Sequence, residues 1–168
     1  MPPNLQTTKF HQNPNELMSE LNKTNDMISN QHDHNTYNRY KEPIPKELDA
    51  IGKLIVDSAY TVHKNLGPGL LEKVYEICFC HELTKRGLSY RRQVDVPVVY
   101  DNLVFDEGLR LDVLVENEVI CELKAIETVN PVWQAQVLSH LRITSKRLGY
   151  LINFNVVNIG QGIKRFAN

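Results

Sequence analysis

The sequence predicts a mixed α/β (α+β) domain preceded by a polar N-terminal segment, and three observations support this fold class. Apolar residues recur at helical spacing over residues 48–66, 70–86 and 130–146, whereas residues 93–125 and 150–154 show the alternation or the continuous apolar runs of strands. The order is therefore helix, helix, three strands, helix and strand, which is typical of α/β or α+β proteins. The length of 168 residues leaves room for one domain with a modest core.

The composition excludes several classes of protein. Lys and Arg number 19 and Asp and Glu number 20, a formal net charge of −1, so no global positive field attracts nucleic acid or anionic lipid. No stretch approaches the roughly 18 consecutive apolar residues of a membrane helix, and the polar start lacks the pattern of a secretory signal. Three cysteines without a CxxC pair argue against a disulfide scaffold and a structural zinc site. We therefore expect a soluble, cytoplasmic protein with reduced thiols.

The domain is predicted to begin at residue 43, where the composition changes. Residues 1–42 contain eight Asn, three His and only three aromatic residues, which is too little apolar surface to offset the entropy of ordering. We expect this tail to be disordered apart from a weak helix over residues 15–28. We interpret His32 and His34 as polar linker rather than as a metal site. The remaining domain, residues 43–168, has 15 basic and 15 acidic residues.

Two helices open the predicted domain. Pro43 and Pro45 stand where prolines favour a helix start, and the apolar residues that follow recur every three or four positions. Gly67-Pro68-Gly69 must end this helix, and we interpret it as a tight connection because it lacks the pattern and the lysine of a phosphate-binding loop. The second helix is predicted over residues 70–86, with Gly87 directly after it. Its expected buried stripe consists of Leu71, Val74, Cys78 and His81.

Strand patterns follow the two helices. Apolar and polar residues alternate in the first strand, whose apolar positions are Val94, Val96 and Val98. Pro97 lies within this strand and indicates a sheet edge or a bulge, because proline cannot donate to the ladder. The clusters Asp101-Asn102 and Asp106-Glu107-Gly108 are predicted turns on either side of a short strand.

A third helix and a buried strand complete the pattern. Asn130-Pro131 combines an N-cap with a proline at the first helical position, so the helix is predicted to begin there and to run to about Lys146. Its buried stripe is expected to contain Trp133, Val137 and Leu141. Gly149 is predicted to end the helix, and residues 150–154 read as a buried strand. The last residues are too short and mixed to assign.

A hairpin is predicted around the loop Glu116-Asn117-Glu118. If Val115 pairs with Val119, then Asp112 lies opposite Glu122, because successive side chains of a strand point to opposite faces. One face is then entirely apolar and consists of Leu111, Val113, Val115, Val119, Cys121 and Leu123. The other face carries Arg110, Asp112, Glu122 and Lys124.

The facing carboxylates of Asp112 and Glu122 indicate a place for a cation. Like charges directly opposite each other destabilise an antiparallel pair, and a divalent cation takes oxygen ligands that two such carboxylates can supply. Lys124 projects to the same side, where an ammonium could orient a water molecule or stabilise the charge of a phosphate. The same spacing permits an exposed face of diagonal ion pairs, Arg110–Glu122 and Asp112–Lys124, so both interpretations stay open at this point.

These residues are similar to those of a known group of nucleases. Asp112, followed by Glu122-Leu123-Lys124 on the next strand, resembles the D…(D/E)xK signature of the PD-(D/E)XK nuclease superfamily. The stretch Gly69-Leu70-Leu71-Glu72-Lys73-Val74-Tyr75 resembles the motif of the GxxExxY protein family, a branch of that superfamily. The resemblance extends from about Lys46 to Phe154, which is most of the predicted domain.

The resemblance implies an α-β-β-β-α-β core and Mg²⁺- or Mn²⁺-dependent hydrolysis of nucleic-acid phosphodiester bonds. By position, Asp112 and Glu122 would be metal ligands, and Glu72 would be the acidic residue supplied by the first core helix to the same metal site. Lys124 would position the attacking water. The implied partner is a nucleic acid, for which we expect DNA, although the sequence itself does not distinguish DNA from RNA.

Two side chains of the third helix extend the resemblance. Gln136 would match the catalytic-site glutamine of the QxxxY motif in related branches, whereas His140 stands where that motif has tyrosine. Considered alone, His140 is typical of a partly buried, hydrogen-bonded histidine. Glu72 considered alone is typical of a carboxylate in the first turn of a helix, where the helix dipole favours it.

The function predicted from these residues is a metal-dependent nuclease. The alternative is a non-catalytic nucleic-acid-binding or protein-interaction module that retains the fold, and a third hypothesis is a regulatory partner of the toxin–antitoxin type. The complete set of three carboxylates and Lys124 favours the enzyme. Short basic clusters could follow a nucleic-acid backbone or could be ordinary solvated surface; they contain Lys85, Arg86, Arg91, Arg92, Lys146 and Arg147.

Overall fold

The computed structural model of the protein describes residues 43–128 and 130–168, without the side chains of Asp106 and Glu107. The predicted polar tail, its weak helix and the two histidines interpreted as linker lie outside the described residues. No helix in the described part of the chain is long and apolar enough to cross a membrane. All three cysteines are free, and burial raises the pKa of the Cys80 thiol to about 11.

Helices cover both faces of a five-stranded sheet. The helices are α1 (Lys46–Leu66), α2 (Glu72–Lys85), α3 (Pro131–Ile143) and the single-turn α4 (Ile159–Gly162). The strands are β1 (Tyr90–Tyr100), β2 (Leu103–Val115), β3 (Val119–Lys124), β4 (Leu148–Asn153) and β5 (Ile163–Ala167). The strands lie in the order β1-β2-β3-β4-β5, and only the β3–β4 pair is parallel. The predicted α+β class and α-β-β-β-α-β order are confirmed, and α4 and β5 follow them.

The first helix is confirmed, whereas the predicted face of the second helix is wrong. Helix α1 ends at Gly67, whose φ of 66° suits a residue without a side chain. Most of the predicted stripe of α2 faces outward, with Leu71 77% and Val74 38% exposed, whereas Cys78 is half-buried and packs against the core. The residues that α2 buries are Tyr75, Glu76, Phe79, Cys80, Glu82 and Leu83. The helix has apolar residues on all sides of its axis, so its periodicity alone does not identify the face that packs against the sheet.

The β1–β2 ribbon confirms one expectation and corrects another. Strand β1 is an edge strand with an irregularity at Pro97, as predicted. The cluster Asp106-Glu107-Gly108 is not a turn, because β2 runs unbroken through it. Val96 pairs with Leu109 and Val98 pairs with Phe105, so the cluster bulges out opposite Pro97. Residues that are typical of a turn therefore form a bulge within β2, opposite the proline that cannot donate a hydrogen bond to the ladder.

The N-terminus of α3 is confirmed, but its C-terminus is not at Gly149. The Asn130 side chain accepts a hydrogen bond from Val132 N at 3.0 Å, and Pro131 is the first helical residue. The helix ends at Ile143, short of the predicted Lys146. Gly149 lies in β4, where a Cβ atom would be 3.1 Å from Val137 and 3.3 Å from Leu141. Glycine therefore lets α3 pack directly on the strand.

The core has two parts, one on each face of the sheet. Helices α1 and α2 cover one face, and the sheet contributes Val113, Val115, Val119, Cys121 and Leu123 to it, as the predicted apolar face requires. Leu111 is the exception, because it packs in the second cluster under α3, with Leu114, Ile120, Val137, Leu141 and Leu151. The hairpin face that carries Glu122 is thus largely covered by a helix rather than exposed to water.

Candidate functional site

The connection between α1 and α2 sets the position of Glu72. Gly69 has a φ of 100°, which L side chains rarely adopt. The Tyr75 hydroxyl donates to Gly67 O at 2.6 Å and accepts from Leu70 N at 3.1 Å, so it closes the connection from within α2. The same ring stacks on Phe154, with centroids 4.7 Å apart. Tyr75 is therefore a core residue whose hydroxyl is fully hydrogen-bonded to the connection.

Asp112 lies where the sheet opens on both sides. Toward β1, the register passes from Arg92–Val113 to Val94–Leu111 and skips Gln93, which has a φ of 50°. Toward β3, the ladder ends at Val113–Cys121. The predicted direct pair Asp112–Glu122 is therefore not part of the ladder. Instead, Asp112 Oδ2 accepts a hydrogen bond from Leu123 N at 2.9 Å and so replaces a backbone acceptor.

Lys124 holds the two predicted metal ligands together. Its Nζ is 2.8 Å from Glu122 Oε1 and 3.7 Å from Asp112 Oδ2, and it donates to Leu123 O at 2.9 Å. The three side chains are largely buried, with 15% of Lys124, 18% of Asp112 and 3% of Glu122 exposed. Arg110 takes no part in this cluster, because it pairs with the exposed Asp95 at 2.8 Å. Of the two predicted diagonal ion pairs, only Asp112–Lys124 forms.

Glu122 also faces helix α3. Its second oxygen, Oε2, is 3.7 Å from His140 Nδ1, and both residues are 2% exposed. Neither atom has a hydrogen-bond partner among the described residues. The interpretation of His140 as a satisfied structural histidine is therefore wrong for Nδ1, because α3 buries the ring against a carboxylate without completing the bond. Buried polar atoms without partners are rare in folded proteins and point to strain, an absent ligand or function.

The electrostatics of the cluster follow from burial and from three neighbouring carboxylates. Burial, together with the charges of Asp112 and Glu72, raises the pKa of Glu122 to about 7, although the hydrogen bond from Lys124 opposes this. Burial alone would lower the pKa of Lys124, but its hydrogen bond to Glu122 and the surrounding negative charges outweigh it and raise that pKa. Burial lowers the pKa of His140, so the imidazole is neutral at pH 7.

Glu72 lies beside these residues at the first position of α2. Its side chain is exposed overall, but partial burial of the carboxylate raises its pKa, while the charge of Lys124 lowers it and that of Asp112 raises it. A backbone hydrogen bond from Ala125 also lowers the pKa. The structure thus brings four of the five predicted site residues together: Glu72, Asp112, Glu122 and Lys124.

The fifth residue and the basic clusters are placed differently. Gln136 is half-buried on α3, one turn before His140, and its side chain forms no hydrogen bond within the described part of the chain. Most of the basic side chains are bound to groups of the same domain. Lys85 and Arg86 pair with Glu82, Arg92 pairs with Glu76, Arg91 donates to Asn117, and Arg147 donates to Asn168 O. The positive charge of these clusters is therefore partly compensated within the domain.

Asn153 is a site-supporting residue that the sequence analysis missed. It is 2% exposed, and its side chain accepts from Ile126 N at 3.1 Å and donates to Ile126 O at 2.9 Å. The chain after Lys124 is thereby fixed to the end of β4, next to the Lys124–Asn153 register position. A polar residue at the end of an otherwise apolar strand was the available signal.

The site contains oxygen donors suitable for a divalent ion, but the described side chains do not form a complete coordination site. Within residues 43–128 and 130–168, no three His, Cys, Asp or Glu side chains converge closely enough to hold a metal ion. Two features still fit a cation: two carboxylates share one ammonium, and Glu122 Oε2 is buried without a partner. Mg²⁺ and Mn²⁺ prefer oxygen donors of this kind. The donor set therefore fits such an ion, and Lys124 supplies the positive charge in this structure.

Comparison with known proteins agrees with this geometry. The model of the PD-(D/E)XK nuclease superfamily matches residues 49–166, which contain most of α1, all of α2 and α3, strands β1 to β4 and most of β5. A search of curated proteins and a search of solved structures found no match. The match covers well over half of the chain, and its range contains Asp112, Glu122 and Lys124. The chain belongs to the PD-(D/E)XK nuclease superfamily.

Proposed function

We propose that this protein is a metal-dependent nuclease that hydrolyses phosphodiester bonds of nucleic acid. The observation that carries the proposal is the convergence of Asp112, Glu122 and Lys124 in a largely buried site, with one oxygen of Glu122 left unpaired. A purely structural ion pair has its polar atoms satisfied, whereas a ligand site keeps donors for its ligand. Proteins of this superfamily generally use divalent metals, which is the ligand that the donor set fits.

The finer assignment to the GxxExxY branch is part of this proposal. Each named position of the motif has a distinct physical role in the fold. Gly69 permits a φ of 100°, Glu72 adds a carboxylate beside Lys124, and the Tyr75 hydroxyl closes the connection. Together, the three positions of the motif place the Glu72 carboxylate at the site, which supports the assignment to this branch.

Each residue of the site would have a different role in the reaction. Asp112 and Glu122 would hold the divalent ion, and Glu72 would add a third carboxylate at its edge. A bound ion would supply Lewis-acid stabilisation of the phosphate and lower the pKa of water. Lys124, which already donates hydrogen bonds at the site, would orient the attacking water and stabilise negative charge on the phosphate. Gln136 stays a predicted site residue.

The nucleic-acid partner is proposed to be DNA. The domain has no net charge, and its basic side chains are mostly paired internally, so binding would rest on few phosphate contacts and would depend weakly on salt. A non-catalytic module would show the same binding without turnover.

The direct test is cleavage of a panel of labelled DNA and RNA substrates with Mg²⁺, Mn²⁺ or EDTA. The wild type should cleave at least one substrate in a metal-dependent manner, and Asp112→Asn should abolish cleavage. Asp95→Asn is the matched control, because Asp95 lies on the neighbouring strand in an exposed pair with Arg110 and should leave cleavage unchanged. Binding of nucleic acid without cleavage under every metal condition would support the non-catalytic module instead.

A further inference from the structure

Two buried polar atoms between α3 and the sheet lack a hydrogen-bond partner among the described residues. Glu122 Oε2 and His140 Nδ1 face each other at 3.7 Å, beyond hydrogen-bond length, and neither has a partner among the described residues. Glu122 Oε1 is different, because Lys124 binds it at 2.8 Å. His140 Nδ1 therefore faces the oxygen of Glu122 that Lys124 leaves unbound.

The packing of α3 against the sheet places His140 next to Glu122. Glu122 lies in β3, where its register partner in the parallel pair is Leu151. Helix α3 crosses the same face and packs directly against β4, because Gly149 leaves space for Val137 and Leu141. His140 is one residue before Leu141 and is thereby held over Glu122. At 3.7 Å the two atoms need to approach by less than about 1 Å to form a direct hydrogen bond.

We propose that His140 is a positioning residue for Glu122: its Nδ1–H donates a hydrogen bond to Oε2 and fixes the plane of the carboxylate. The inference rests on the proposed function, because it assigns the fixed carboxylate to the binding of a divalent cation. Hydrogen bonds at such sites are often long in the unliganded protein and shorten when the ligand binds. Partners that orient a metal ligand change metal affinity by about 10- to 100-fold when they are removed.

The test is Mn²⁺ binding to the full chain, measured by calorimetric titration without substrate. His140→Phe keeps a ring but removes the donor, and it should weaken Mn²⁺ binding by about tenfold or more. His140→Asn places an amide nitrogen close to the position of Nδ1 and should retain most of the affinity. His140→Gln places that amide close to Nε2 instead and should lose affinity as the Phe variant does.

The controls separate this inference from the proposed function. His81→Phe removes an exposed histidine from α2 and should bind Mn²⁺ as the wild type does. Equal Mn²⁺ affinities in the wild type, His140→Asn and His140→Gln would overturn the role of His140 while leaving the metal site intact, whether or not the Phe variant folds. A wild type that binds no Mn²⁺ would overturn the proposed function and, with it, this inference.

Discussion

Glu82 and Glu122 are both buried glutamates beside a lysine, but their surroundings differ in kind. Glu82 on α2 uses both oxygens, because Lys85 donates to Oε1 at 2.8 Å and Arg86 donates to Oε2. Glu122 on β3 uses only one oxygen, bound by Lys124, and has two further carboxylates nearby. Hydrogen bonds from Lys85 and Arg86 lower the pKa of Glu82, whereas burial raises the pKa of Glu122 to about 7.

On the proposed function, this difference separates an ion pair that stabilises the fold from one that binds a cation. The Glu82 cluster links helices, since Arg86 also donates to Thr61 of α1 at 2.8 Å. The Glu122 cluster concentrates three carboxylates around a single ammonium, which leaves excess negative charge in a poorly solvated place. A charge arrangement that is unfavourable in the free protein becomes favourable when a cation binds.

The largest expected effect comes from replacing Lys124. Lys124→Ala should lower metal-dependent cleavage by at least about a hundredfold, because the ammonium that stabilises the phosphate is lost. Metal binding should persist or tighten, because a cation cannot be a ligand to another cation. The same change in the other cluster, Lys85→Ala, should leave cleavage unchanged. Wild-type cleavage rates in Lys124→Ala, measured with Mg²⁺ or Mn²⁺, would contradict the assignment of this site.

The two glutamates should respond with opposite signs to neutralisation in metal-free buffer. Glu82→Gln should destabilise the protein by about 1–2 kcal/mol, because it weakens two charge-assisted hydrogen bonds. Glu122→Gln should stabilise it by about 1 kcal/mol, because it removes a buried charge whose raised pKa records an unfavourable environment. Chemical denaturation near pH 7.5 measures both. The account of the comparison fails if both variants are destabilised equally.

The stability of the metal-free protein should also fall as the pH rises from about 4.5 to about 7 through the contribution of Glu122. The folded state holds this proton more tightly than the unfolded chain, so stability is lost as the pH rises through the folded pKa. One proton contributes at most about 1.4 kcal/mol per pH unit. Because the lowered pKa of His140 acts in the opposite direction, the slope is taken as wild type minus Glu122→Gln. An identical pH profile in Glu122→Gln would exclude the effect, whereas Glu82→Gln should retain the slope.

The order of the elements was predictable because periodicity, caps and turn residues act locally. Asn130-Pro131 begins α3 as expected, and Gly67 ends α1. The buried face of α2 was not predictable, since apolar residues occur on all sides of the helix and tertiary contacts, such as the stacking of Tyr75 on Phe154, determine which side is buried. Gly149 was misassigned for a similar reason, because a glycine that ends a helix and one that admits a packed helix look alike in sequence.

The convergence at the site was predictable from the pleat, whereas its burial was not. Alternation alone placed Asp112, Glu122 and Lys124 on one side of the hairpin. Helix α3 covers that side. Its position over the sheet depends on contacts between residues far apart in the sequence, and these contacts also bring His140 against Glu122. The gap in the ladder at Asp112 has the same origin, since it lies opposite Gln93, whose φ is 50° and whose side chain donates to Glu76 at 3.2 Å.

The central claim is that the Glu122 cluster binds a divalent cation and the Glu82 cluster does not. Thermal melting of the full chain with and without millimolar Mn²⁺ tests it most directly, because a ligand that binds only the folded state stabilises it by about 2.7 kcal/mol at a hundred times its Kd. Mn²⁺ should raise the Tm of the wild type and of Glu82→Gln, and the increase should vanish in Asp112→Asn and Glu122→Gln. A wild-type Tm that does not respond to Mn²⁺, or an equal increase in all four proteins, would contradict the claim.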